Sequence, residues 1–341
     1  MKVQTAPSPT GQRGHLRLDA TIASSATVVG PFEAQGPLGP LFDRVVQDDL
    51  CGEKSYERAE LCLLRGAVEL LLDRSEVSAT DVDLLIGGDL LDQITTTNFA
   101  GRDLGVPLLG VYSACATTSE SLLLGALAVT SKAASTVVCA TASHHLSAER
   151  QYRFPLELAV QRAPTAQWTA TGGAAFLLGR NDEGLARIVA ATVGTVQDYG
   201  LKDPNNMGAA MAPAAADTIL RHFRARGQAS RDYDLILTGD LARAGLPLLE
   251  ELLGEEGERP AHRLQDAGVL LYDPSQDVHA GGSGAACSAL VLASLVLPRL
   301  RRGELRRVLL VATGSLHSPR SYQQGETIPT VAHAVELEAI V

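Results

Sequence analysis

The chain repeats itself, and this constrains its fold more than any other feature of its 341 residues. The segments "DVDLLIGGDL" (81–90) and "DYDLILTGDL" (232–241) share six of ten positions: Asp81/Asp232, Asp83/Asp234, Leu84/Leu235, Gly88/Gly239, Asp89/Asp240 and Leu90/Leu241. Each is a short apolar run closed by Gly-Asp, the pattern of a buried strand entering a tight turn. A second pair follows in the same order. "CATTSESLLLGALAVTSKAASTVVCATAS" (115–143) and "CSALVLASLVLPRLRRGELRRVLLVATGS" (287–315) both begin at a cysteine. Both continue through a helical apolar run and a polar break into a β-rich run, and both finish A-T-x-S. From cysteine to that threonine is 26 residues in each. Two matches in one order indicate duplication.

The halves divide at "NDEG" (181–184), giving residues 1–180 and 181–341, opened by "ATIASSATVVG" (20–30) and "ARIVAATVGTV" (186–196). The first ends with "GGAAFLLGR" (172–180). Strands alternating with helices predict α/β layers with largely parallel sheets. No long linker separates the halves, so one pseudo-symmetric body is expected.

Composition sets limits on function. With 45% hydrophobic and 20% charged residues the chain can build a large core. A formal charge of −10 argues against a broad nucleic-acid surface. The five cysteines are widely spaced and form no CxxC pair, so neither a zinc site nor a disulfide framework is expected, and a reducing compartment fits. The N-terminal stretch lacks the apolar core of a secretory signal. The apolar run "AACSALVLASLVLPRL" is short, carries Pro298 and reads as a core helix, not a membrane span.

The candidate chemistry centres on Cys115. "PLLGVYSA" (Pro107 to Ala114) reads as a buried strand and "SLLLGALAV" as a buried helix. Cys115 then sits at a strand-to-helix turn, where the partial positive charge of a helix N-terminus favours thiolate. The competing reading is a small buried hydrophobe lining a pocket. Its repeat mate Cys287 leads the second helix. Before it stand His279, Gly281, Gly282, Ser283 and Gly284, a loop whose backbone N–H groups could receive a carboxylate, or which only needs positive φ. No lysine follows in the P-loop manner, so no nucleotide or other cofactor is expected. His144 and His145 follow the strand "STVVCATAS". Arg150, Arg153 and Arg162 suit carboxylate contacts, but Glu149 and Glu157 nearby favour structural ion pairs. Asp89 and Asp240 either cap turns or meet a ligand-bound calcium.

A duplicated α/β layer with a cysteine leading a buried helix is similar to the thiolase fold, which implies two βαβαβαββ halves in a five-layered αβαβα arrangement. Cys115 holds the position of that fold's nucleophile. The segments "SHHLSAERQYRFPLELAVQRAPTAQWTATGGAA" (143–175), "LTGDLA" (237–242), "DVHAGGSGAACSA" (277–289) and "SYQQGETIPTVAHAVELE" (321–338) resemble the stage V sporulation protein AD family from about residue 20 onward. The resemblance implies a non-enzymatic binding protein for dipicolinic acid (pyridine-2,6-dicarboxylate) or its calcium chelate, acting in import into the developing spore. It implies peripheral placement on the cytoplasmic side of the spore inner membrane, beside membrane proteins of the same operon. Carried onto this chain, the ligand-binding set is Cys115, His144, His279, Gly281, Gly282 and Asp240. A homodimer is implied too, with "STVVCATAS" as the pairing strand. Ala285-Ala286 departs from the Cys-Gly expected before Cys287.

The alternative is a condensing-type acyltransferase with Cys115 as nucleophile. Related ketoacyl synthases carry a histidine after the strand corresponding to "DLILTGDLA"; here Gly239, Asp240 and Leu241 stand there. A carboxylate in that place repels an enolate. His279 is the histidine left to pair with Cys115.

Overall fold

A computed structural model describes residues 13–152 and 161–340. The first half runs β1 (His15–Val29), α1 (Pro31–Ala34), β2 (Arg44–Val45), α2 (Tyr56–Ser75), β3 (Leu84–Gly88), α3 (Thr95–Leu104), β4 (Leu108–Gly110), α4 (Thr117–Thr130), β5 (Val137–Ser143), α5 (His145–Tyr152), β6 (Trp168–Thr169) and β7 (Gly172–Gly179). The second runs β8 (Ala186–Thr192), α6 (Met207–Arg226), β9 (Leu235–Thr238), α7 (Ala242–Glu255), β10 (Leu264–Asp266), α8 (Ala267–Leu271), β11 (Gly282–Ser283), α9 (Cys287–Val291), α10 (Leu297–Arg301), β12 (Arg307–Ser315), α11 (Pro319–Gln323) and β13 (Thr330–Glu338).

Strand order exposes the duplication. The main sheet reads β10-β9-β12-β13-β8-β1-β7-β5-β3-β4, a palindrome about β8 and β1. β3 and β9, which carry the two Gly-Asp repeats, occupy equivalent places, as do β5 and β12. Within each half the inner strands are parallel and the last strand is antiparallel. The two sheets of the expected arrangement are hydrogen-bonded into one path here. β1 is 15 residues long, and pairs with β8 over His15–Ile22 and with β7 over Thr21–Val29, with a register shift on each side.

Alternation along the strands assigns the layers. Val138 and Ala140 of β5, with Ala175 and Leu177 of β7, meet Leu63, Leu64, Ala67 and Leu71 of α2 on one outer face. Leu309 and Val311 of β12 meet Met211, Ala215 and Ile219 of α6 on the other. Val137, Cys139, Val308 and Leu310 point the opposite way, onto Leu122 and Ala126 of α4 and Leu290 and Val291 of α9. The two cysteine-led helices therefore form the middle layer of αβαβα. Gly173 makes the close packing of α2 possible: a Cβ there would stand 2.7 Å from the Leu63 carbonyl oxygen. Where Pro298 removes a donor, the middle helix passes through a π-helical turn, Leu292–Val296, before continuing as α10.

Three expectations need correction. The run Pro107–Ala114 forms only the three-residue edge strand β4, with Leu109 and Gly110 exposed, because among the described residues it pairs with β3 on one side alone. β5, offered above as a dimer strand, is already paired on both edges, to β3 and β7. And Cys51 and Cys62 form a disulfide that ties the loop before α2 to that helix, although their wide spacing suggested none. Among the described residues no helix is long and apolar enough to cross a membrane.

Candidate functional site: the Cys115 cavity

The C-terminal ends of β3, β5, β9 and β12 meet where the two halves join, and Cys115 lies there. The turn that carries it is strained: Ala114 has φ 51°, in the left-handed region that a Cβ disfavours. Thr117 pins it, its hydroxyl donating to the Ala114 carbonyl (2.6 Å) and accepting from the Ser113 amide (3.1 Å). The second half supports the same turn. His333 of β13 accepts from the Gly194 amide at Nδ1 (3.1 Å), so Nε2 carries the proton and donates to Ser113 Oγ (3.2 Å). Burial pushes the His333 imidazole down to about 4, which keeps it neutral.

The thiol faces a buried polar chain. Cys115 Sγ lies 3.6 Å from Ser283 Oγ. Ser283 donates to Asp240 Oδ2 (2.8 Å), the Gly284 amide reaches the same oxygen (3.4 Å), and Thr313 donates to Oδ1 (2.7 Å). Burial raises the Asp240 carboxyl above its ordinary range. Burial first, and then the Asp240 charge, push the Cys115 thiol well up. The expected acidification by the helix N-terminus is thus overturned. The dipole's effect is modest and local, whereas full desolvation beside a carboxylate disfavours a second negative charge.

A cavity of about 500 Å³, counting its open mouth, leads to Cys115. Its walls come from Leu90 after β3, Tyr112 and Ala114 before α4, Ala148, Glu149 and Tyr152 on α5, Thr169 of β6, Pro204 and Met207 around the start of α6, Ser283 of β11, and Ser315 and His317 at and just beyond the end of β12. Most of the wall is apolar or aromatic, and among the described residues no lysine or arginine lines it.

Of the residues singled out from sequence, Cys115 and Asp240 are brought together, through Ser283. His144 does not line the cavity: Nε2 donates to the Asp49 carbonyl (2.7 Å) and Nδ1 accepts from the Leu146 amide (3.1 Å). Its burial lowers the imidazole pKa and fixes this neutral, structural form. His279 is also outside; it hydrogen-bonds the Ala163 carbonyl through Nδ1 (2.7 Å) and stands 3.4 Å from Asp277. Nor are Gly281 and Gly282 in the lining. Gly281 has φ 134° and its carbonyl accepts from the Trp168 amide, while Gly282 allows Tyr272 and Cys287 to approach. The glycine loop is a backbone device, and its nearest anion is the protein's own Asp240 carboxylate.

Asp89, the repeat mate of Asp240, caps α3 by accepting from Leu91 and Thr97 amides (2.9 and 2.8 Å). Arg150 pairs with Glu57 (3.4 Å), and Arg162 lies over the Trp168 ring (4.9 Å). Arg153 and Glu157 fall outside the described residues. Sequence reading missed Tyr112, Tyr152, Ser283 and His317 as wall residues. Only Ser283 carried a signal, its place in the glycine loop.

The model of the family described as stage V sporulation protein AD matches residues 11–338. The stage V sporulation protein AD of Bacillus subtilis (strain 168) is 45% identical over 317 residues, covering 93% of this chain and 94% of that protein. Among solved structures, 3-oxoacyl-[acyl-carrier-protein] synthase III from Aquifex aeolicus VF5 superposes with a TM-score of 0.57 at 12% identity, covering 94% of this chain and 99% of that one. A variant of OleA from Xanthomonas campestris gives 0.61 at 15% identity, covering 98% and 100%. At such identities the likeness is one of fold alone, and it is the thiolase-like fold. The family match, by contrast, spans nearly the whole sequence: the chain belongs to the stage V sporulation protein AD family.

Proposed function

We propose that this chain is a non-enzymatic binding protein for dipicolinic acid, acting in uptake of that compound by the developing spore, and that the Cys115 cavity is the binding site. The observation that carries the reading is what faces the thiol. Full burial first, and then the Asp240 carboxyl behind Ser283, push the Cys115 thiol up and keep it neutral, a poor nucleophile. A cavity walled by tyrosines and aliphatic side chains around an unreactive floor suits retention of a flat ring better than bond making.

The charge of the site favours one form of the ligand. Free dipicolinate is a dianion. Asp240 lies behind Ser283, and among the described residues no lysine or arginine lines the cavity. The calcium chelate is neutral and escapes that repulsion. Partners in this reading are the calcium chelate and membrane proteins of the same sporulation operon, with the chain held peripherally on the cytoplasmic side of the spore inner membrane. The absence of a long apolar helix among the described residues is consistent with peripheral attachment.

Calorimetric titration with dipicolinate tests the proposal, with and without calcium. Calcium should tighten binding by about tenfold or more, and Cys115→Trp should abolish it without changing the circular dichroism spectrum. No binding by wild type in either condition overturns the reading. One observation favours a second reading: the thiol sits on a strained turn at the end of a largely apolar cavity, as an acyl-enzyme would require. Covalent labelling of Cys115 by an acyl-CoA would put the condensing-type acyltransferase in its place.

A further inference from the structure

Two phenols stand between the Cys115 cavity and the protein surface. Tyr112, Tyr152 and His317 line the inner cavity, and the same three line a second, outer groove bordered by Asp92, Ile94 and Ser318. The inner and outer spaces therefore meet at these three rings. The Tyr112 and Tyr152 hydroxyl oxygens are 3.1 Å apart. Tyr152 donates its proton to the Leu90 carbonyl, so the proton between the phenols comes from Tyr112. The Tyr152 and His317 rings lie 5.6 Å apart, tilted by 51°, and His317 is held by Ser315 Oγ at 3.0 Å.

The frame behind the ring is fixed. Gln151 donates to the Leu90 carbonyl (3.0 Å) and accepts from the Asp92 amide (3.0 Å), clasping α5 to the turn after β3. That turn holds Gln93 and Ile94 at φ 56° and 47°. A β-branched residue in this region is a true outlier, retained only where surrounding contacts over-determine it. The strain places the outer groove's wall against the Tyr152 end of α5.

We propose that the Tyr112–Tyr152 pair, with His317, is the specificity-determining constriction of the site: it admits a flat single-ring ligand edge-on and turns away wider groups, including the arm of an acyl thioester. Stacking or edge contact with the phenol rings rewards a planar aromatic guest. Opening the passage for a bulkier one requires breaking the phenol–phenol hydrogen bond. The inference rests on the reading of this cavity as a small-molecule site, but its test needs no dipicolinate and can fail independently of that reading.

The test measures modification of Cys115 by two thiol reagents of different width, methyl methanethiosulfonate and dithionitrobenzoate, with the site identified by peptide mass mapping. Tyr112→Ala should speed reaction with the wide reagent by about tenfold and alter the narrow one little. Tyr112→Phe, which keeps the ring and removes the donor, should give a smaller change in the same direction and stands in if the alanine variant does not fold. Equal acceleration of both reagents, no acceleration of the wide one, or a Cys115 that neither reagent reaches in any variant overturns the proposal. Dipicolinate affinity, titrated in parallel, reports on the ligand assignment separately.

Discussion

Cys115 and Asp240 share one hydroxyl: Ser283 Oγ lies 3.6 Å from the sulfur and 2.8 Å from the carboxylate. Residues far apart in sequence, from the two halves of a duplicated chain, thus set the chemistry of one thiol. The charge between them is better placed on the carboxyl than on sulfur, since a carboxylate is intrinsically the far stronger acid. Cys115 should therefore remain a thiol through pH 8, with iodoacetamide reacting slowly. Asp240→Asn removes the repelling charge and keeps an acceptor for Ser283. It should shift the alkylation profile to lower pH, about tenfold faster at pH 8. An unchanged profile would remove Asp240 as the cause.

Two buried glutamates should shape stability against pH with opposite signs. Burial pushes Glu33 from 4.5 up to about 7, against the opposing hydrogen bond from Tyr272 (2.6 Å). The folded chain then binds this proton more tightly than the unfolded chain, so stability falls as pH rises from 4.5 to 7. The loss is about 3 kcal/mol. Glu336 is the reverse. Burial opposes its ionisation, but His222 and Arg226 hold its carboxyl below the ordinary range. Its contribution is present above the unfolded value and is lost as pH falls through the lower folded one. Urea unfolding across pH 3–8 separates them. Glu33→Gln should flatten the neutral limb, and Glu336→Gln should cost about 3 kcal/mol at pH 7 and weaken the acid limb. A neutral limb unchanged by Glu33→Gln would rule out its assignment.

What the sequence made legible follows from what repeats. Gly-Asp at 88–89 and 239–240 located β3 and β9, and the cysteine-to-threonine spacing located the middle helices, because duplication preserves order and length. The family was legible through long unusual segments such as "DVHAGGSGAACSA". The cavity was not. Tyr112, Tyr152 and His317 come from three separated elements with no local period, so only the folded chain juxtaposes them. Periodicity misread Pro107–Ala114 as a buried strand because an exposed edge such as Leu109 looks as apolar as a core residue. His333 was readable in principle. Ala332 and Ala334 face α6, so alternation points His333 toward the Cys115 turn.

The Cys51–Cys62 disulfide lies just after Asp49, whose carbonyl receives the His144 imidazole. Linking residues 11 apart removes loop-closure entropy from the unfolded chain, an effect of about 2–3 kcal/mol. Cys51→Ser should lower the melting temperature of the oxidised protein and leave the reduced protein nearly unaffected. Non-reducing mass spectrometry of the purified chain should find these two cysteines linked and Cys115, Cys139 and Cys287 free. Equal melting of wild type and variant under oxidising conditions would deny the bond a stabilising role.

The dimer expectation survives only with a different strand. Both edges of β5 are spent inside the sheet, whereas among the described residues β4 ends the strand order and pairs with β3 alone. Its outer side is apolar and open: Leu109 is 52% exposed and Tyr112, just beyond it, 42%. An open apolar edge invites a second strand, and a twofold axis lets one edge pair with its own copy. The chain should therefore form a homodimer through β4. Light scattering at high micromolar concentration should report twice the chain mass. Leu109→Lys should return it to monomer without loss of helicity, since the side chain is largely solvent-exposed and an edge lysine opposes pairing. The position of Tyr112 adds a consequence. A partner strand along β4 would lie beside the mouth of the Cys115 cavity, so the monomeric variant should bind dipicolinate with altered affinity. A wild-type monomer refutes the dimer, and a Leu109→Lys variant that stays dimeric places the interface on another face.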